Sequence, residues 1–159
     1  MSCLICSKTA DIKLCDYCGD KFLYDSSIGM IRRKKTYIPF STENKESMGE
    51  LRLHNILCKI YGRKNVFRNV HPLWAISSKG VLLEYDVAIP SEKLLIEYDG
   101  IQHYKYPNFF HKTKKEYLAQ VRRDKKKNKL AKDNGWKLVR FKYNENIDKI
   151  NIERKLKLC

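Results

Sequence analysis

Two neighbouring strand-like segments carry acids where an apolar run ends: LLEYD, closing on Asp86, and KLLIEYDG, with Glu97 and Asp99. Side chains alternate along a strand, so Glu97 and Asp99 fall on one face and Glu84 and Asp86 likewise, while Leu82, Leu83, Leu94, Leu95 and Ile96 form the apolar body. Burying carboxylates without counter-charge costs several kcal/mol each. The pattern therefore calls for cationic partners, and Mg²⁺ or Mn²⁺, which prefer hard oxygen ligands, would supply one directly. Asp86 and Glu97 are the expected ligands. Asp99 is either a third ligand or a brace for the turn at Gly100 through an Asx-type bond. Strand-edge acids paired with surface lysines would give the same pattern without chemistry.

Other groups could join that centre. His103 follows a strand end, where loops carry function, and suits a general base, or it packs among Tyr104, Tyr106 and Phe109. Gln102 is a neighbour able to hold water. Glu50 lies three residues after Ser47 and is either a helix cap or a site residue. Lys127 lies three after Asp124, so both share a helix face and can reach one cluster, although a solvated charge run is the default for KKKNK. Lys112 and Lys114, with His111, suit phosphate contact, and Phe109 and Phe110 suit base stacking or a core. Arg122, Lys126 and Arg140 are the further basic residues expected to meet nucleic acid.

Cys3-x-x-Cys6 and Cys15-x-x-Cys18 are two thiolate pairs at the spacing of a tetrahedral Zn²⁺ site. So short a segment cannot fold on apolar burial alone. Two disulfides are the alternative, but Cys58 and Cys159 are left over and no export signal is read, which argues for a reducing compartment.

The chain of 159 residues carries 33 Lys and Arg against 18 acids, a formal charge of +15. Such an excess concerns partners rather than fold and points to nucleic acid. No apolar run reaches the roughly 20 residues of a membrane span, so a soluble intracellular protein is expected. No small-molecule cofactor is expected, and a homodimer is left open.

The elements that must position these groups follow from periodicity. A helix from about Ser47 to Tyr61 ends at Gly62. Val66 to Val70 reads as a strand, His71-Pro72 and Ser77 to Gly80 as a loop, and Ile89-Pro90-Ser91-Glu92 as a turn. A basic helix runs from Lys114 to Asn134, with Tyr117, Val121, Asn128 and Leu130 or Ala131 inward and Gly135 as its stop. Trp136 to Tyr143 alternates as a strand, and Ile147 to Leu158 reads as a closing helix. Residues 1–22 form the cysteine module, 23–45 a basic linker, and 46–159 an α/β domain around a mixed sheet flanked by helices.

In order, Glu50, Asp86, Glu97-x-Asp99-Gly-x-Gln102-His103, Asp124-x-x-Lys127 and Gly135-Trp136-x-x-x-Arg140-Phe141 resemble the PD-(D/E)xK nuclease superfamily, most of all its very-short-patch-repair-like branch. The phrases LLEYD, LLIEYDGIQHY, FFHKT and RRDKKKNKLAKDNGWKLVRF are also similar to endonuclease-like proteins of large DNA viruses and phages. The resemblance covers about Met48 to Tyr143. It implies a restriction-endonuclease-like core and a metal-dependent endonuclease that hydrolyses DNA phosphodiester bonds. It further implies that the early helical glutamate, here Glu50, points toward the metal cluster. The family signature places a lysine two positions after the strand glutamate. Asp99 stands there instead, and the resemblance assigns the vacancy by position to Lys127. The alternatives are a nucleic-acid-binding protein that keeps the fold without activity, and an RNA-processing nuclease.

Overall fold

The computed structural model describes residues 22–25, 28–33, 47–106 and 113–158. Cys3, Cys6, Cys15 and Cys18 of the expected zinc module lie outside the described residues, as do Phe109, Phe110, His111 and Lys112. Among the described residues the chain is α/β, with one mixed sheet and three helices. The elements are β1 (Phe22–Asp25), β2 (Met30–Arg33), α1 (Met48–Tyr61), β3 (Phe67–Pro72), β4 (Tyr85–Ile89), β5 (Leu94–Asp99), α2 (Lys114–Asp133), β6 (Lys137–Lys142) and α3 (Lys149–Leu158). Single 3₁₀ turns cover Pro90–Glu92 and Ile101–His103.

Strand order in the sheet follows chain order. β1 to β5 pair antiparallel, and β6 pairs parallel to β5. A parallel neighbour requires a crossover, and α2 supplies it. β5 thus lies between an antiparallel and a parallel partner, and four consecutive residues from Leu94 to Glu97 are buried. Such a strand reads as a continuous apolar run because both its faces are covered.

The two faces have separate cores. Leu53 and Leu57 of α1 and Ile152 and Leu156 of α3 pack on Val87, Ile89, Ile96, Val139 and Phe141. On the other face Ala131 of α2 packs with Val70, Tyr85, Ala88 and Leu95. Leu53 and Leu57 are one helical turn apart, and full burial of each contributes roughly 1.5–3 kcal/mol. α1 begins where Ser47 Oγ accepts the Glu50 N–H at 3.1 Å and ends at Gly62, whose φ of 84° suits glycine. Thr113 and Glu116 close a reciprocal capping box at the start of α2.

Several boundaries differ from the sequence reading. The segment LLEYD does not end a strand: β4 starts at Tyr85 and continues through Ile89, so Asp86 sits at its beginning. His71 and Pro72, read as loop, complete β3. The segment 23–45, read as a linker, contributes most of β1 and all of β2, with Met30 and Ile31 buried against the sheet. A four-residue strand gains its stability from a neighbour distant in sequence, here β3, so local composition does not reveal it. Asn128, read as inward, is exposed, and its carboxamide oxygen accepts from Arg140 Nε at 3.0 Å.

Candidate functional site

The β4–β5 ladder runs from Ile89↔Leu94 to Val87↔Ile96 and stops there. The next two residues in that register are Asp86 and Glu97. Instead of a carbonyl of β4, the backbone N–H of Tyr98 finds Asp86 Oδ2 at 2.7 Å. The acid side chain thus replaces a ladder hydrogen bond, and the strands part at the two expected ligands. The third strand is distorted at the same level. Asn69 lies between Arg68↔Val87 and Val70↔Tyr85 and has a φ of 48°, a conformation asparagine tolerates better than most residues. Its carboxamide donates to Glu84 Oε1 at 3.3 Å.

A cavity of about 520 Å³ opens at this split. Its acids are Glu50 from α1, Glu84 and Asp86 from the β4 side, and Glu97 from β5. Gln102 and His103 from the second 3₁₀ turn, and Gln120, Arg123 and Lys127 from α2, complete its polar wall, with Leu82 and Leu83 as apolar lining. Glu97 is 3% exposed. Lys127 Nζ donates to both its oxygens, at 2.8 and 2.9 Å, and lies 5.1 Å from the centre of the Tyr85 ring. Glu50 Oε1 is 3.4 Å from Arg68 Nη2.

Burial disfavours charge on both central acids. It pushes Asp86 up to about 6; the Tyr98 N–H and Lys127 oppose this, while Glu50 and Glu84 add repulsion. Burial likewise pushes Glu97 up to about 7 against Lys127 and Arg140, and the charge of Asp86 contributes. Each acid is thus raised in part by the other or by further carboxylates. Two desolvated, mutually repelling carboxylates in an open cavity match the hard-oxygen donor set of a divalent cation. Among the described residues no three His, Cys, Asp or Glu side chains are grouped to hold a metal. An ion on Asp86 and Glu97 would complete its shell with water, backbone oxygen or substrate.

A second network lies behind the cavity. Arg140 stands directly beside Glu97 in the parallel register. Its Nη1 reaches Asp99 Oδ1 at 2.6 Å and Glu97 Oε2 at 3.8 Å, and its Nη2 lies 3.7 Å from Asp124. Burial works against the Arg140 charge, but the three acids outweigh it and raise its pKa. Asp99 also accepts the Tyr104 hydroxyl at 2.7 Å. His103 Nδ1 is 2.9 Å from Asp124 Oδ2. Burial would raise the pKa of Asp124, yet the hydrogen bond with His103 and the charge of Arg140 leave it lowered.

The structure thus brings Glu50, Asp86, Glu97, Gln102, His103 and Lys127 to one cavity. It does not bring Asp99 there, because Arg140 and Tyr104 hold that carboxylate. Arg140 is likewise turned toward Glu97, Asp99 and Asp124 and does not line the cavity. Lys114 and Arg122 are exposed and Lys126 is partly buried; none of the three lines the cavity. Sequence reading missed Gln120, Arg123 and the wall position of Glu84. Gln120, Asp124 and Lys127 recur at helical spacing, so a polar stripe on one face of α2 was the available signal. Arg123, three residues after Gln120 and four before Lys127, carries the same spacing but stands within a charge run.

No helix among the described residues is long and apolar enough to cross a membrane. No family model matches the chain, and no solved structure does. It is similar to the uncharacterized protein 307L of Invertebrate iridescent virus 6, at 30% identity over 67% of this chain and 61% of that protein. It is also similar to the uncharacterized protein 033L of Invertebrate iridescent virus 3, at 38% identity over 38% of this chain and 31% of that one. The chain therefore spans under two thirds of the length of either relative.

Proposed function

We propose that the chain is a metal-dependent endonuclease that hydrolyses phosphodiester bonds in DNA, on a restriction-endonuclease-like core. The observation that carries this reading is the split of β4 from β5 at Asp86 and Glu97, which gives both acids to one open cavity beside Lys127. The charge of +15 and the ordered motifs from Glu50 to Phe141 support a nucleic-acid substrate. Asp86 and Glu97 would hold Mg²⁺ or Mn²⁺, which when bound polarises a phosphoryl oxygen and lowers the pKa of water.

The chain's own groups have separable roles. Lys127 holds Glu97 in place and brings positive charge to the cavity wall. Asp124 fixes the His103 ring through Nδ1, leaving Nε2 to give or take a proton. Gln102 is available to orient water. A Cys3, Cys6, Cys15 and Cys18 zinc site is part of the proposal, and elemental analysis should give zinc that Cys3→Ser loses.

Plasmid nicking with Mg²⁺ or Mn²⁺ tests the reading. Wild type should nick, while Asp86→Ala and Glu97→Ala should not; equal nicking by all three rejects the assignment. A second reading is a nucleic-acid-binding protein without hydrolysis. It is favoured by the absence of lysine at Asp99 and by the double hydrogen bond that ties Lys127 to Glu97. Binding without nicking by wild type would select it, and competition between labelled DNA and RNA at fixed salt would separate the substrates.

A further inference from the structure

We infer that Arg123 is the residue that grips a backbone phosphate of nucleic acid at the mouth of the cavity, and that Gln120 positions it. This deepens the reading above and rests on it for the class of ligand.

The acids on the cavity wall outnumber its cations, so a phosphate needs a positive group whose charge is not already cancelled. Lys127 does not qualify, since both Glu97 oxygens hold its ammonium. Arg123 does. Its Nη2 donates to Gln120 Oε1 at 2.7 Å, and no carboxylate of the described residues pairs with it. A neutral carboxamide fixes one edge of the guanidinium without reducing its charge. The remaining donors keep the planar fork that matches phosphate oxygens.

Gln120 is itself anchored. Its Nε2 donates to Asp124 Oδ1 at 3.1 Å and lies 3.2 Å from His103 Nδ1. Asp124 in turn faces Arg140 of β6 at 3.7 Å. The exposed arginine is therefore tied through Gln120 and Asp124 to the buried charge network of the sheet. Its neighbour Arg122 is also exposed but lies about 100° round the helix and does not line the cavity. Arg122 is the internal control.

The test is binding, read by fluorescence anisotropy on a short labelled DNA duplex with Ca²⁺ in place of Mg²⁺, across a salt series. Arg123→Gln should weaken binding about tenfold and reduce the salt slope by about one, with a smaller loss of affinity for Arg122→Gln. Gln120→Leu should weaken binding alone but add little in the Arg123→Gln background, which a merely structural role would not produce. Equal effects of Arg123→Gln and Arg122→Gln overturn the inference while leaving the nuclease reading to the nicking assay. Loss of binding by Arg123→Gln in a protein that never nicks supports the inference and removes hydrolysis. If wild type binds no nucleic acid, both fall.

Discussion

Asp86 Oδ2 accepts the backbone N–H of Tyr98 at 2.7 Å, at the level where β4 and β5 cease to pair. One carboxylate therefore has two tasks: it satisfies a main-chain donor left by the parted strands, and it faces the cavity with Glu97. The tasks call for different chemistry, because the N–H can donate to a neutral or a charged oxygen while a divalent cation is held far more strongly by an anionic one.

Asp86→Asn separates them. The carboxamide oxygen can still accept from Tyr98, and the buried charge is gone. Thermal unfolding at neutral pH should show a melting temperature equal to or above that of wild type, while metal-dependent nicking falls by at least about a hundredfold. A large loss of stability would show that the charge, not the acceptor, holds the strands.

Stability should fall with rising pH between about 4 and 7. Asp86 and Glu97 have folded pKa values of about 6 and about 7, above their ordinary 3.8 and 4.5. The folded state therefore binds more protons than the unfolded one in this window, so the slope of unfolding free energy with pH is negative. Their contribution is fully present below the ordinary values and lost as pH rises through about 7. Asp124, lowered, acts in the opposite sense and loses its contribution in acid. Melting curves in chelator should show a flatter pH profile for the Asp86→Asn, Glu97→Gln double variant. Mn²⁺ should restore wild-type stability above pH 7.

Arg140→Met should be among the most damaging single changes, at about 3–5 kcal/mol, because it leaves buried Glu97 and Asp99 without their shared cation. Urea unfolding would measure it. A loss below about 1 kcal/mol would show that Tyr104 and Lys127 suffice for those acids.

Gly49→Ala tests how α1 reaches the site. Alanine is the better helix former by about 1 kcal/mol, yet a Cβ here would lie 2.8 Å from Tyr98 Cε2 and overlap the phenol further out. The variant should lose about 1–3 kcal/mol, with recovery when combined with Tyr98→Leu. A gain in stability from Gly49→Ala alone would mean that the Tyr98 ring moves aside at little cost.

Local features were legible in the sequence. The Ser47 cap, the Gly62 stop, the period of α1 and the alternation of β6 depend on residues within about four positions of one another, and their physics is complete at that range. For the same reason the acids of the strands and the shared face of Asp124 and Lys127 could be named. Charge partnership could not. Glu97 and Asp99 are two residues apart on one face, yet one opens to the cavity with Lys127 and the other is held by Arg140. Those contacts span 30 and 41 residues and depend on the packing of α2 against the sheet and on the register of β6 beside β5. The docking of the β1–β2 hairpin on β3, the kink at Asn69 and the tie of Asp124 to Arg140 are of the same kind. Each depends on a neighbour brought close only by the assembled sheet, so composition and periodicity carry no trace of it.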